Sequence, residues 1–249
     1  MKLHVHRWGD GGRRILLLHG ISSAGSGWWR VGADLAERGW TVVAPDLRGH
    51  GESPMADSYG FGDHAGDVLG LDDGWDAVLG HSMGGAIAVV AADRDPGWTR
   101  RLVLQDPALV VGVDLDEQLE WLLADFDGPM TAAWVREQLP GYHPEDARLK
   151  ALALRQTTPE IVERTTRDLQ PWNVLEEASR LPIDTVVLAS DPGHGGIVPI
   201  TIGEWLASEN PNVRFRVLAG AGHSVHRETT NYDRYFEALL QALDDKEDR

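Results

Sequence analysis

The sequence predicts an α/β architecture, in which a mostly parallel central sheet is flanked by helices and interrupted by a block of inserted helices. Three observations carry that prediction. Over the first 110 residues, short apolar runs alternate with segments whose apolar residues recur at helical spacing. From 110 to 178 only helical patterns follow one another, and after 179 the alternation returns. A length of 249 residues fits one such domain with an insertion better than two independent domains. The expected division is a core of 1–109 and 179–249, with 110–178 inserted.

The elements follow in order. Residues 14–18 (Arg-Ile-Leu-Leu-Leu) form an apolar run ending in His19-Gly20, as in a strand buried on both faces. Trp28, Val31 and Leu35 mark a helix that ends by Gly39. Residues 41–44 are the next strand, stopped by Pro45; a helix over 63–71 and a strand over 75–79 follow. Met83, Ala86, Ile87 and Val90 fall at i, i+3, i+4 and i+7, so a helix starts directly after Ser82. Residues 101–105 close this series as a strand. Within the insertion, Leu119, Leu122, Leu123 and Phe126 form a helical stripe. Thr131 can cap a further helix, Pro144 and Pro159 suit first helical turns, and Thr158 caps the latter. Residues 184–189 and 213–218 are the last strands, and Tyr232, Tyr235, Phe236, Leu239 and Leu240 mark a final helix.

Composition narrows the function classes. With 39 acidic and 23 basic residues the formal charge is −16, a field that repels phosphate backbones and anionic lipid surfaces, so no nucleic-acid or membrane partner is expected. The acidic run at 244–248 reads as a solvated tail. There is no cysteine, which removes disulfides, thiolate catalysis and Cys-ligated metals. No apolar stretch approaches the roughly 20 residues that span a bilayer, and residues 1–6 lack a signal-like apolar run, so a cytoplasmic location is the expectation. Neither a phosphate-binding loop nor metal-ligand spacing is present, so no cofactor or metal is implied.

In a parallel sheet, ligands bind beyond the carboxyl ends of the strands. His19, Asp46, Ser82 and Asp106 all lie at or just after predicted strand ends. Gly80-His81-Ser82-Met83-Gly84 has the G-x-S-x-G pattern, extended by Gly85. A serine on a sharp strand-to-helix turn needs glycines two before and two after, and the following helix aims its positive end at charge developing near the hydroxyl. A serine hydroxyl is a weak nucleophile and needs a histidine base oriented by a carboxylate. Among ten histidines, His223 is best placed, in the turn after the strand over 213–218; His226 is the fallback. His19, His50 and His81 belong to turns and read as structural.

With these residues in order, the chain resembles the α/β-hydrolase superfamily of serine hydrolases. The resemblance rests on the elbow, His19-Gly20, Pro45-Asp46-Leu47-Arg48-Gly49-His50-Gly51-Glu52-Ser53, Leu102-Val103-Leu104-Gln105-Asp106-Pro107 and Gly220-Ala221-Gly222-His223. It implies the α/β-hydrolase fold, with 110–178 as a helical cap, and an oxyanion hole from the backbone N–H groups of Ile21 and Met83. Most of the family place the acid after the strand over 185–189, where this chain has Asp191 and then two glycines before Ile197-Val198-Pro199. Haloalkane dehalogenases and certain lactonases instead take it from the end of the preceding strand, which here is Asp106. Asp106 is the first choice and Asp191 the alternative.

The resemblance further implies acyl transfer through an acyl-enzyme, while serine at the elbow excludes the dehalogenase and epoxide hydrolase chemistries that need aspartate there. Trp121, Trp134 and Trp172, with Phe126 and Tyr142, make the insertion rich in large apolar groups, so the expected substrate is a hydrophobic small-molecule ester or lactone lying against the three tryptophans. Carbon–carbon bond hydrolysis of a diketone, thioester hydrolysis and a non-catalytic small-molecule receptor are the alternatives.

Overall fold

The structure is a computed structural model that describes residues 1–72, 74–112 and 114–244; residues 245–248 of the expected acidic tail lie outside them. Its centre is a seven-stranded sheet in the order β1-β3-β2-β4-β5-β6-β7, formed by Val5–Trp8, Trp40–Pro45, Arg13–Leu18, Ala77–His81, Arg101–Gln105, Asp184–Ser190 and Val213–Leu218. All neighbours are parallel except β1 and β3. The α/β architecture read from the sequence is therefore the one found.

The continuous apolar run in β2 has a plain cause. Side chains alternate across a strand, so a strand covered on both faces needs apolar residues at every position. Leu16 and Leu18 join Val78, Leu102 and Leu104 on one face, under α2 (Phe61–Leu69), α3 (Met83–Arg94), α8 (Leu175–Ser179) and α9 (Ile200–Glu209). Ile15 and Leu17 join Leu79 and Val103 on the other, under α1 (Trp29–Ala36) and α10 (Tyr232–Asp244). Each fully buried leucine contributes roughly 1.5–3 kcal/mol of burial free energy.

Two elements escape the sequence reading. β1 is an antiparallel edge strand of four residues, Val-His-Arg-Trp, with too little apolar content to signal itself. α9 exposes Ile200 and Trp205 while burying Gly203 and Leu206, which blurs its periodicity. One boundary also shifts. The strand expected over 75–79 runs from Ala77 to His81, and Trp75 makes only an isolated bridge to Thr99. Gly80 is thus a sheet residue, paired with Leu18 and Leu104, rather than a turn residue.

Between β5 and β6 lie α4 (Leu115–Leu123), α5 (Ala132–Gln138), α6 (Pro144–Gln156), α7 (Pro159–Asp168) and α8, with no strand among the described residues. Their starts are capped as the residue types suggest. Thr131 Oγ1 accepts from the Trp134 N–H at 3.2 Å and Thr158 Oγ1 from the Ile161 N–H at 3.3 Å, while Pro144 and Pro159 open α6 and α7. Val135, Ala147, Ala151 and Leu154 form a small separate core between α5 and α6. By Leu169 the chain has rejoined the main core, since Leu169, Trp172, Val174 and Ala178 all pack there and α8 lies against α3 and α9. No helix of the described residues is long and apolar enough to cross a membrane.

Candidate active site

Strand register places the site. β4 and β5 are adjacent and parallel with His81 opposite Gln105, so the next residues, Ser82 and Asp106, leave the sheet side by side. The Ser82 N–H donates to the Gln105 carbonyl at 3.2 Å. Ser82 has φ 53° and ψ −122°, a conformation that costs an L-residue about 1–3 kcal/mol unless its surroundings fix it. They do: its carbonyl accepts the N–H groups of Gly85 at 2.9 Å, Ala108 at 3.1 Å and Ala86 at 3.3 Å. The two pattern glycines work by close approach. A Cβ on Gly80 would lie 2.5 Å from the Gly84 carbonyl, and one on Gly84 would lie 2.4 Å from the Leu18 carbonyl.

Of the two candidate acids, Asp106 is the one hydrogen-bonded to the histidine. Asp106 is fully buried, and its Oδ2 lies 2.6 Å from His223 Nδ1. A carboxylate only accepts, so Nδ1 carries the proton and Nε2 keeps its lone pair. Asp106 Oδ1 also accepts from the Ser190 N–H at 3.1 Å and Oδ2 from the Ile197 N–H at 3.0 Å. The end of β6 and the loop after it, which has two glycines just before Ile197, thus supply backbone donors to the carboxylate at the end of the neighbouring strand. Asp191 is turned away from the imidazole. It accepts from the Gly220 N–H at 2.7 Å and the Gly193 N–H at 2.8 Å, which, with His194 beside it, hold its carboxyl below the usual range.

The loop carrying His223 is pinned from several sides. Asp191 binds Gly220, Ser190 Oγ donates to the Gly222 carbonyl at 2.7 Å, and Glu228 Oε1 accepts the Gly222 N–H at 2.7 Å. His81 Nε2–H donates to the His223 carbonyl at 2.9 Å, and the two rings lie 4.6 Å apart. Burial foremost, and then the neighbouring His223, keep His81 well below the ordinary imidazole value. His226, the fallback, stacks on Trp28 at 4.4 Å and lies 2.8 Å from the Gln105 amide; burial, then His81, keep it neutral.

His19 shapes the turn opposite the elbow. Its Nε2 accepts the Leu47 N–H at 2.9 Å, so Nδ1 is the protonated nitrogen and donates to the Gly20 carbonyl at 2.7 Å. Burial, reinforced by His50, lowers it to about 3. A Cβ on Gly20 would sit 3.0 Å from the Ser82 Cβ, so the turn passes directly over the serine. Among the described residues, neither the Ile21 nor the Met83 backbone N–H donates to a protein acceptor.

Ser82, His223 and Ile21 border a cavity of about 580 Å³, closed on its far side by the inserted helices. Trp121 and Trp134 border it, Trp121 at its exposed rim. Trp172 corrects the expectation. It lies in the main core against Phe61, and its Nε1–H donates to the Ala108 carbonyl at 2.7 Å. The sequence reading also passed over the polar groups of the cavity. Lys150 is buried, its Nζ donating to Asp125 at 2.6 Å and to Ser22 Oγ at 2.8 Å. Arg227 is buried too, with Nη2 donating to Ser23 Oγ. No local pattern marks these residues, which are brought together by helices far apart in the chain.

Elsewhere, His4, His6 and Asp46 bring three metal-capable groups within 4.8 Å of one another. Asp46 is already engaged by the Gly25 N–H at 2.7 Å, the Glu52 N–H at 2.8 Å and His6 at 3.2 Å. Burial would raise its carboxyl, but these bonds hold it below the usual value, and the cluster reads as a structural knot.

Residues 15–238 match the model of an alpha/beta hydrolase family. The lipase LipV of Mycobacterium tuberculosis is 37% identical over 131 residues, covering 50% of this chain and 49% of that protein; the match thus spans about half of that relative's length. The pimeloyl-[acyl-carrier protein] methyl ester esterase of Neisseria meningitidis is 28% identical over 232 residues, covering 86% of this chain and 72% of that protein. Among solved structures, an E-2-(acetamidomethylene)succinate hydrolase superposes with a TM-score of 0.82 at 21% identity, covering 97% of this chain and 95% of that one. The enol-lactonase of Burkholderia xenovorans superposes with a TM-score of 0.79 at 21% identity, covering 97% and 96%. The structural likenesses concern the fold, the family match covers most of the chain, and on that ground the protein belongs to the alpha/beta hydrolase family.

Proposed function

We propose that the protein is a serine hydrolase that cleaves a carboxylic ester or lactone of a small molecule through an acyl-enzyme. The observation that carries this reading is the 2.6 Å contact between His223 Nδ1 and Asp106 Oδ2 beside a cavity that both His223 and Ser82 border. With Nδ1 protonated, Nε2 is the free base for the Ser82 hydroxyl. Ser82 Oγ attacks the substrate carbonyl as its proton passes to Nε2, and Asp106 stabilises the resulting imidazolium. The oxygen that gains charge is received by the unpaired N–H groups of Ile21 and Met83, the latter at the positive end of α3. The imidazolium then protonates the leaving alkoxide. Water, deprotonated by the same nitrogen, releases the acid and restores the serine.

The ester and lipase activities named for the relatives agree with this chemistry. Hydrolysis of p-nitrophenyl esters by the protein and by Ser82→Ala tests it. The expected loss exceeds about 10³-fold, and an unchanged rate would remove the assignment. A panel of lactones, thioesters and diketones then separates ester chemistry from the other reactions open to the same groups.

A further inference from the structure

The cavity contains a cation that no carboxylate contacts directly. Arg227 is buried and borders the cavity. Its Nε donates to His226 Nε2 at 3.2 Å and its Nη2 to Ser23 Oγ. Among the described residues no carboxylate lies within ion-pairing distance of it, and its Nη1 has no protein acceptor. The nearby carboxylates hydrogen-bond to other groups. Asp125 holds Lys150 at 2.6 Å and the Ser22 hydroxyl at 2.8 Å. Glu228 accepts from Gly222 N–H at 2.7 Å and Asn231 Nδ2 at 2.6 Å. Asp146 accepts from Trp29 Nε1 at 3.2 Å; burial pushes it up to about 6 although Arg227 and then Arg30 draw it down, and neither guanidinium is hydrogen-bonded to it.

A buried guanidinium with no directly bonded carboxylate is costly, and its planar fork pairs with a carboxylate through two parallel N–H···O bonds. The local charge is all the more informative because the chain as a whole carries −16. Position adds to this. Arg227 lies four residues after His223, across a single 3-10 turn, and Ser23, which it binds, lies two residues after Ile21. Its guanidinium is thus tethered to both segments that border the serine.

We infer that Arg227 anchors a carboxylate on the substrate, so that the ester or lactone cleaved is that of a small acid whose second, ionised carboxyl stays intact. This rests on the hydrolase reading above and narrows it from hydrophobic esters in general to the half-esters and lactones of diacids. The remaining wall, with Leu122, Trp134, Val135 and Leu154, receives the apolar chain between the two groups.

Two measurements test it. In the first, glutarate is titrated calorimetrically into the Ser82→Ala protein, which reads binding without turnover. Saturable binding is expected, weakened at least about tenfold by adding Arg227→Gln and less by Arg227→Lys, which keeps the charge but loses the fork. In the second, the unsubstituted enzyme is given 4-nitrophenyl hemiglutarate and the neutral 4-nitrophenyl pentanoate. The expected preference for the acid in kcat/KM is about tenfold or more, falling at least tenfold in Arg227→Gln through KM. Arg227→Lys serves in both if the glutamine variant does not fold. Absence of glutarate binding, or a preference that Arg227 substitution leaves unmoved, overturns the inference. If neither ester is cleaved, or Ser82→Ala cleaves both as fast, the hydrolase reading fails, and the glutarate titration still decides the role of Arg227.

Discussion

On the sheet side of the cavity, Ser82, Asp106 and His223 are placed by backbone that has little freedom left. Strand register sets Ser82 and Asp106 side by side, six hydrogen bonds made by backbone groups hold their two turns, and Gly80 and Gly84 admit no larger residue. On the helical side, Asp125, Lys150 and Tyr142 come to the cavity from segments within or flanking α5 and α6, which pack around a core of four buried residues. The difference teaches how the two walls respond to change. The first wall tolerates almost no substitution because many constraints converge on each atom. The second is specified by a few side-chain contacts, so its shape and charge can drift while the reaction centre stays intact.

The comparison can be broken most directly at the two aspartates. Asp106→Asn should lower kcat by about 10⁴-fold, because an amide both weakens the imidazolium and favours the wrong tautomer. Asp191→Asn should stay within about tenfold, since it only ties two loops together. Steady-state kinetics on a p-nitrophenyl ester would show this, and a reversed order would move the acid to Asp191. Stability separates the walls next. Leu79→Ala, in the sheet core, should cost about 3 kcal/mol in urea unfolding, whereas Leu154→Ala, at the cavity edge, should cost less and raise KM instead. Equal losses with no change in KM would mean the two cores unfold as one.

A third contrast concerns pH. Burial raises Asp146 to about 6, so the folded protein retains a proton that the unfolded chain has lost by pH 5. That contribution is fully present at low pH and disappears as pH rises through 6. Asp146→Asn carries no such proton, so its stability relative to the parent should grow by about 1.4 kcal/mol between pH 5 and pH 8. Denaturant unfolding at the two pH values checks this, and a constant difference would place Asp146 in an ordinary environment. The smallest expected effect is at the rim. Trp134→Ala removes an apolar face of the cavity and should raise KM about three- to tenfold with kcat nearly unchanged. A fall in kcat instead would mean that the helical wall positions the reacting groups.

The same division explains what could be read from the sequence. Strands buried on both faces are nearly continuous apolar runs, and the residues that follow them lie at the carboxyl edge of the sheet, so the placement of Ser82, Asp106 and His223 there could be read by pattern. Asp106 and Asp191 could not be separated by pattern, because the choice turns on which carboxylate the loop at 190–197 wraps with its N–H groups. Trp172 was misread because abundance of tryptophan in a segment says nothing about which way each faces. It belongs to the stretch that has already rejoined the main core. Arg227 was invisible for a further reason. An arginine after a turn is ordinarily solvated, and only the closure of α6 and the segment at 22–27 over it leaves it buried.

One consequence of the acid's position reaches beyond the reaction. Because the carboxylate arrives on β5, the end of β6 and the loop after it reach Asp106 with peptide N–H groups alone, from Ser190 and Ile197, which any residue but proline can supply. Gly196 is confined, since a Cβ there would meet the Ser190 carbonyl at 2.6 Å, yet the side chains of 192–195 carry no duty toward Asp106. His194 and Gly195 stand at the cavity's edge. For protein engineering, positions 192–194 are a natural place to randomise, Gly195 being held at a φ of 87° that side chains rarely adopt: a library there would vary the entrance while leaving the N–H groups that reach Asp106 in place.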